Sequence, residues 1–465
     1  MNLADTQLRL PNGSIITFND EQYDGLQKIF KWLKSRDTFF TLAGYAGSGK
    51  TTIIKKVLDS YFGRVVVSAP THKAKKVISA TTDKEGVTLH SLLGLRPDLD
   101  LDDFNPNDPK FAPIVPPKMS DYEWVIIDEA SMINVDLFNL IKKTVAYLDV
   151  KILFMGDPAQ IPPIGEKESV VFFDESIQIH WLTKTERQME DNPLLPVYDA
   201  LRNNLLSHTG GFKRKTVLNE NAHGIVFIVD KPSFRTMVLA KFNSEEFKHN
   251  INYVKLIAWR NKTVMSSNIT IRNSIFGEKA NIVEVGDAIM CYRSIRSKKG
   301  TYNIIDNGAD YQVTEVSKYK KNKQGIWGFS AELVDGDART LFIVDTLNED
   351  NLHKYAEQHD IYKQLGISDK KLWSQYYKFR RENVIMTTIN TYRDGSKRPK
   401  SEVIVKDIDY GYAITAHKAQ GSTYTHVMIL EDDIDMNSNI KERNQIKYVA
   451  LTRPTDTAVM LSEEE

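Results

Sequence analysis

The sequence predicts an α/β protein with two parallel-sheet units, the second interrupted by an inserted segment of β-hairpins and helices. Three observations predict this. The runs "TFFTLAG", "RVVVSAP", "WVIIDEA" and "KILFMGD" are short and apolar and end in small, polar or proline residues, as buried parallel strands do when their C-terminal ends carry a site. A second set, "YVKLIAWR", "EVIVKDIDYGYAIT", "HVMIL" and "TAVMLS", repeats the pattern later in the chain. Between them, residues 291–403 break the alternation: "DNGADYQVTEV" and "GFSAELVDGDARTLFIV" read as hairpins of a small barrel, and 350–383 reads as helices.

In chain order, the first unit covers residues 1–185, with helices expected over Thr51 to Phe62 and His72 to Ser79 and an acidic insert at 95–116. The second unit is built from 186–290 and 404–465, with 291–403 inserted. A chain of 465 residues can bury more than one core, which suits this division. The single cysteine, Cys291, excludes an internal disulfide framework and a cysteine-based zinc site. With no apolar stretch of membrane-spanning length and no secretory start, a cytoplasmic protein is expected, with no membrane partner.

Lys plus Arg equals Asp plus Glu, 61 against 61, so no global field draws this protein onto a polyanion and any grip on nucleic acid must be local. Residues 351–400 are locally basic and carry Tyr355, Tyr362, Trp373, Tyr376, Tyr377 and Phe379. These aromatics admit two accounts, core packing and bracing or a stacking platform for a strand; packing is the favoured one.

The chemistry begins at "GYAGSGKTT". Gly44, Gly49, Lys50 and Thr51 match G-x-x-x-x-G-K-[ST] between a strand-like and a helix-like run, the context the motif requires. Its glycines let backbone amides close around phosphate oxygens, Lys50 reaches the β and γ phosphates, and the Thr51 hydroxyl ligates Mg²⁺. Asp128 ends the apolar run "VIID", where it can hold the metal, and Glu129 beside it can orient or deprotonate water. ATP and Mg²⁺ are the expected nucleotide and metal. A second α/β unit fits a motor, in which phosphate chemistry is converted into displacement.

These residues resemble a superfamily 1 helicase. Gln22 in "FNDEQ" resembles the adenine-reading Q motif; "GYAGSGKTT" is similar to motif I, "APTHKAKKV" with "TLHSLLG" to motifs Ia and Ib, "IIDEASM" to motif II and "GDPAQIPPI" to motif III. "LTKTERQ" carries the arginine that approaches the γ phosphate in this family, "ITAHKAQGSTYTHV" resembles motif V and "YVALTRP" motif VI. The match spans 18–188 and 411–460, and within superfamily 1B the order is that of the RecD/Dda type. The resemblance implies two RecA-like domains, a β-hairpin pin, and a small SH3-like barrel plus helical arm in the second domain. It also implies 5′ to 3′ translocation on single-stranded DNA with ATP hydrolysis.

Carried over residue by residue, the resemblance makes Lys50, Asp128, Glu129, Gln160, Arg187 and Arg453 catalytic. Gln160 is the sensor between γ phosphate and DNA, and Arg187 and Arg453 are two arginine fingers whose planar forks suit phosphate oxygens. The nucleotide would be held by Gln22, Gly44, Ala46, Gly47, Ser48, Gly49, Lys50, Thr51, Thr52 and Gly421, and the metal by Thr51 and Asp128. Where many Rep/UvrD-type relatives have a tyrosine before the first arginine, this chain has Glu186, which leaves most base recognition to Gln22.

DNA is expected to lie along Pro70, Thr71, His72, Lys73, Thr88 and His90, and along Asn261, Thr415, His417 and Lys418. Phe104, amid Asp98, Asp100, Asp102 and Asp103, would act as the apolar wedge of the pin. Expected partners are single-stranded and forked duplex DNA, with a single-strand-binding protein or replisome components as candidate protein partners; a monomer is the default. The competing expectation is a DNA-stimulated ATPase or translocase that remodels bound proteins without strand separation.

Overall fold

The computed structural model describes residues 7–9, 15–95, 116–184, 193–207, 214–298, 303–392 and 401–462. The chain forms two compact units, Met1–Phe227 with Ala416–Glu465, and Ile228–Thr415. The pin insert with Phe104, and Arg187, lie outside the described residues.

The first unit is organised by six parallel strands: β1 (Phe39–Gly44), β2 (Val65–Ala69), β3 (Gly86–Thr88), β4 (Trp124–Ile127), β5 (Lys151–Gly156) and β6 (Gln178–Leu182), in the spatial order β3-β2-β4-β5-β1-β6. Four of these are the apolar runs of the sequence; β3 and β6 are short edge strands without such a run. Because successive side chains of a strand alternate between faces, each run feeds two cores. Val67, Trp124, Ile126, Leu153 and Met155 pack on one side with Ile29 and Trp32 of helix α1 (Asp20–Leu33) and with Ile53 and Val57 of α2 (Lys50–Leu58). Val66, Val125, Ile127, Ile152 and Phe154 pack on the other with Leu137 and Phe138.

Helices α1, α3 (His72–Thr82) and α4 (Val135–Val145) are started by side-chain caps, from Asn19, Thr71 and Asn134. Such a cap contributes about 1 kcal/mol by satisfying an otherwise orphaned amide. Helix α2 has Gly49 at that position and no side-chain cap, so its first amides are left for something else. Helix α5 (Leu194–Ser207) completes the N-terminal part of this unit.

In the second unit, β7 (Val254–Ala258) is followed by α6 (Asn261–Phe276). An antiparallel sheet then joins β8 (Ala288–Cys291), β9 (Asp310–Val316), β10 (Lys320–Lys321), β11 (Trp327–Asp335), β12 (Asp337–Val344) and β13 (Ile408–Tyr410) around a core of Ile289, Val313, Ala331, Leu333, Ile343 and Ile408. Helices α7 (Glu349–Ser368) and α8 (Trp373–Glu382) cross beside it. Their Tyr355 and Phe379 are buried, 5.2 Å apart between ring centres, and Tyr362 lies 5.1 Å from Phe379, whereas Tyr377 stays exposed.

The run "EVIVKDIDYGYAIT", expected to be one strand of the second parallel sheet, is three. Ser401–Ile404 pairs with Ile389–Tyr392, β13 pairs with β8, and β14 (Ala413–Thr415) pairs in parallel with β7. The first break falls at the fully buried Asp407, whose carboxylate accepts from Arg293 at 2.7 Å and from Arg380 at 2.5 Å. The second falls at Gly411, whose carbonyl accepts from the fully buried Lys255 at 2.5 Å.

The chain re-enters the first unit at Ala416. There β15 (Tyr424–Leu430) and β16 (Pro454–Leu461) pair in parallel, and the strand order continues through Gly224–Ile228 to Val217–Leu218. Helix α9 (Ile440–Leu451), capped by Asn439, joins β15 to β16. Among the described residues, no helix is long and apolar enough to cross a membrane.

Candidate nucleotide site

Between β1 and α2 the chain turns through Gly47 at φ 80° and Gly49 at φ 85°, left-handed conformations that cost a glycine little. At Gly49 a side chain would also meet Gln22 Nε2 at 2.4 Å. The turn leaves the α2 amides uncapped, the arrangement that receives an anion. Ser48 Oγ, buried within it, has no hydrogen-bond partner among the described residues. Lys50 Nζ donates to the carbonyls of Gly44 at 2.6 Å and Tyr45 at 3.0 Å, so the ammonium already lies over the mouth of the loop. Thr51 and Thr52 follow in the first turn of α2, half-buried. Triphosphate chemistry fits this cradle.

Two carboxylates face it from strand ends. Asp128 follows β4, and its Oδ1 accepts the Glu129 amide at 2.9 Å. Glu129 takes φ 54°, a strained value for a residue with a Cβ and one that clusters at functional sites. Burial, then the Glu129 charge, push the Asp128 carboxyl up to about 7. Burial also raises Glu129, against the pull of Arg453, Lys50 and the Gln160 side chain. Glu129 Oε2 and Gln160 Oε1 are buried without a partner among the described residues. A cation or polar ligand is what such acceptors lack. Among the described residues, no cluster of three or more His, Cys, Asp or Glu is built to hold a metal by itself. A divalent ion here would rest on Asp128, the Thr51 hydroxyl and ligand oxygens, the pattern typical of magnesium.

Arg453, just beyond α9, is 7% exposed and held by the Val449 carbonyl at 3.1 Å, the Ser422 carbonyl at 3.3 Å and Thr452 Oγ1 at 2.9 Å. Its charge acts on Glu129, so the structure brings this arginine within electrostatic reach of that carboxylate.

Comparison with known proteins completes this picture. An AAA domain profile matches residues 17–222 and a UvrD-like helicase C-terminal domain profile matches 410–461. The ATP-dependent DNA helicase dda of Enterobacteria phage T4 is 25% identical over 94% of this chain and 98% of its own length. The RecBCD enzyme subunit RecD of Buchnera aphidicola is 21% identical, covering 96% of this chain and 74% of its own. The Pif1 helicase from Bacteroides, in complex with ADP-AlF3 and ssDNA, has a similar fold: TM-score 0.51 and 18% identity over 95% of this chain and 92% of that one. The chain belongs to the superfamily 1B DNA helicases of the RecD/Dda type.

The helicase uses Gln22 in a way that the sequence reading missed. Its Oε1 accepts the Asn19 amide at 3.1 Å, closing a capping box on α1, and its Nε2 donates to the Ser48 carbonyl at 3.0 Å. Both ends of the amide thus serve the helix and the loop; the Asn-x-x-Gln spacing was the available signal. Gly421, at φ 68°, lies against α3, where a side chain would meet Ala74 Cβ at 2.8 Å.

Three further residues of this helicase went unread, all engaging the strand-end loop after β5. Gln420 Nε2 donates to the Ile161 carbonyl at 3.1 Å, and Gln445 Nε2 donates to the Gln160 carbonyl at 3.1 Å. Tyr448 Oη donates to Asp157 Oδ2 at 2.7 Å and accepts the Ala46 amide at 3.1 Å. Asp157 could have been suspected, because "LFMGD" ends in a carboxylate as "VIID" does.

The expected DNA track divides between the units. In the first, Thr71 and Thr88 accept from the amides of Ala74 at 3.2 Å and Ser91 at 3.4 Å as helix caps. Pro70 and His90 are buried, whereas His72 and Lys73 are half-exposed, with Lys73 Nζ 3.3 Å from Tyr424 Oη. His417 and Lys418 lie on a short helix, Ala416–Ala419; burial lowers the His417 imidazole and favours its neutral form. In the second unit Asn261 is exposed at the start of α6, and Thr415 ends β14.

Proposed function

We propose that this ATP-dependent helicase translocates 5′ to 3′ on single-stranded DNA and unwinds forked duplex DNA, ATP hydrolysis displacing one RecA-like domain against the other. The observation that carries the reading is the uncapped, glycine-turned loop of Gly44–Thr51 opposite the unpartnered acceptors of Glu129 and Gln160. In this reading the loop amides and Lys50 hold the β and γ phosphates, and Glu129 orients the attacking water. Arg453, with Arg187 from outside the described residues, neutralises charge as the γ phosphoryl group leaves. Mg²⁺, on Thr51 and Asp128, would supply charge neutralisation between phosphate oxygens. Gln22 braces the loop first, whatever it contributes to adenine.

Exposed and half-exposed His72, Lys73, Lys418 and Asn261 are the DNA contacts favoured by accessibility; the Thr71 and Thr88 hydroxyls accept amides as caps, which leaves the hydroxyl proton as the group to offer phosphate, and Thr415 is proposed from its place at the end of β14. Phe104 remains the proposed wedge. Monomeric action in the cytoplasm, beside single-strand-binding or replisome proteins, completes the proposal. The polarity is supported by the family resemblance.

The test is strand displacement on forked duplexes carrying a 5′ or a 3′ single-stranded tail. Displacement from the 5′ tail alone is expected. Displacement from the 3′ tail alone would overturn the polarity, and DNA-stimulated ATP turnover without displacement would replace unwinding by translocation that remodels bound protein.

A further inference from the structure

Tyr448 lies in the final turn of α9 and is 1% exposed. A phenol has one proton to give and lone pairs to receive, and here the hydroxyl both donates to Asp157 and accepts from Ala46. Burial and the Asp157 charge hold it well above its ordinary value, so the donor proton stays in place. One turn earlier, Gln445 reaches the carbonyl of Gln160. Positions three apart share a helix face, so a single face of α9 touches both the phosphate loop and the loop after β5. Arg453 hangs from the same turn through the Val449 carbonyl and Thr452 Oγ1. A shift of that turn therefore moves the guanidinium.

From this geometry we infer that Tyr448 is a positioning residue whose hydroxyl ties the phosphate loop and Asp157 to the end of α9, and so sets where Arg453 stands during hydrolysis. The inference deepens the ATP-driven reading and rests on it. Ala46 belongs to the loop proposed to hold phosphate. An anionic oxygen arriving there competes with a neutral phenol for its amide proton, and the outcome is transmitted along α9. Asp157, close enough to Lys50 to feel its charge, gives the tie a second anchor in the loop after β5.

The experiment compares full-length wild type, Tyr448→Phe, Asp157→Asn and the double variant in steady-state ATP hydrolysis on single-stranded DNA. Tyr448→Phe removes one oxygen and keeps the ring. Its kcat is expected to fall about tenfold while the KM for ATP stays within about twofold, because no side chain proposed to bind ATP is removed and only the Ala46 amide changes partner. On the Asp157→Asn background the same substitution is expected to cost less than about threefold, the non-additivity of two groups in one chain of hydrogen bonds. An unchanged kcat, a KM that rises in step with the fall of kcat, or a full tenfold loss on both backgrounds would overturn the role. A merely misfolded variant is recognised by loss of ADP binding, in which case Asp157→Asn alone must reproduce the kcat loss or the inference falls. Failure of the wild type itself to hydrolyse ATP would instead take down the underlying functional reading, and this inference with it.

Discussion

The Asp128–Glu129 pair of the first unit is half-buried and Asp407 of the second is fully buried, yet burial raises the first pair's carboxyls while the surroundings of Asp407 reverse it. Asp407 is answered within the fold: Arg293 and Arg380 donate to Oδ1, the Ile385 amide donates to Oδ2 at 3.1 Å, and these overcome burial so that the carboxyl lies below its ordinary value. Asp128 is raised by burial and by the Glu129 charge, and Glu129 by burial and by the Asp157 charge, with Lys50 on both and Arg453 on Glu129 only partly offsetting this. A closed ion cluster stabilises the unit that holds it; an open one is held at a cost and leaves room for a ligand's charge. The difference separates a structural network from a candidate site more sharply than burial alone.

That contrast can be broken most severely at Lys50. Lys50→Ala removes the ammonium set over the loop mouth, and DNA-stimulated phosphate release is expected to fall about a thousandfold or more while DNA binding persists. Near-normal release would refute the loop assignment. Asp407→Asn should instead leave the nucleotide chemistry in place and destabilise the fold by about 3–5 kcal/mol, since the buried Arg380 and the partly buried Arg293 lose their counter-charge. Urea unfolding of the full chain would read this, and an unchanged midpoint would show the cluster is not closed. Asp128→Asn is the converse: metal-dependent turnover is lost, but removing an unfavourable half-buried charge is expected to leave the unfolding midpoint unchanged or raise it. A drop comparable with that of Asp407→Asn would erase the distinction.

What was readable in the sequence follows the same division between local and distant causes. The four central strands announce themselves because each is a continuous apolar run closing on a small or acidic residue, and the loop does so because Gly44, Gly49, Lys50 and Thr51 fall at the motif's spacing within a few residues. The edge strands β3 and β6 carry no comparable run. The splitting of 402–415 was hidden because its cause is distant: the partners of Asp407 are Arg293 and Arg380, and that of Gly411 is Lys255. The same holds for Tyr448, the first residue of "YVALTRP", because the groups that meet its hydroxyl, Ala46 and Asp157, are distant in the chain. Gln22 is the intermediate case, since its partner Asn19 is local and legible while Ser48 is not.

The finest test of the comparison is the pH dependence of stability, where the two sites carry opposite signs. Asp407 has a folded value below its unfolded one, so its stabilisation is complete above the unfolded value near about 4 and disappears as pH falls through the folded value. The stability gap between wild type and Asp407→Asn should therefore be flat from neutral pH down to about 5 and narrow only below about 4. The Asp128–Glu129 pair has folded values above the unfolded ones, with Asp128 at about 7. Here the folded chain binds protons more tightly, so acidification from about 7 towards about 4 stabilises wild type relative to Asp128→Asn, by at most about 1.4 kcal/mol per pH unit for a single proton. Urea midpoints of the three proteins from about pH 2 to about pH 8, without nucleotide, would settle the signs. A gap for Asp128→Asn that does not change between pH 7 and pH 5 would mean that the motif II carboxylates are as well paired as Asp407, and that the fold has no charge deficit there for a metal–nucleotide complex to fill.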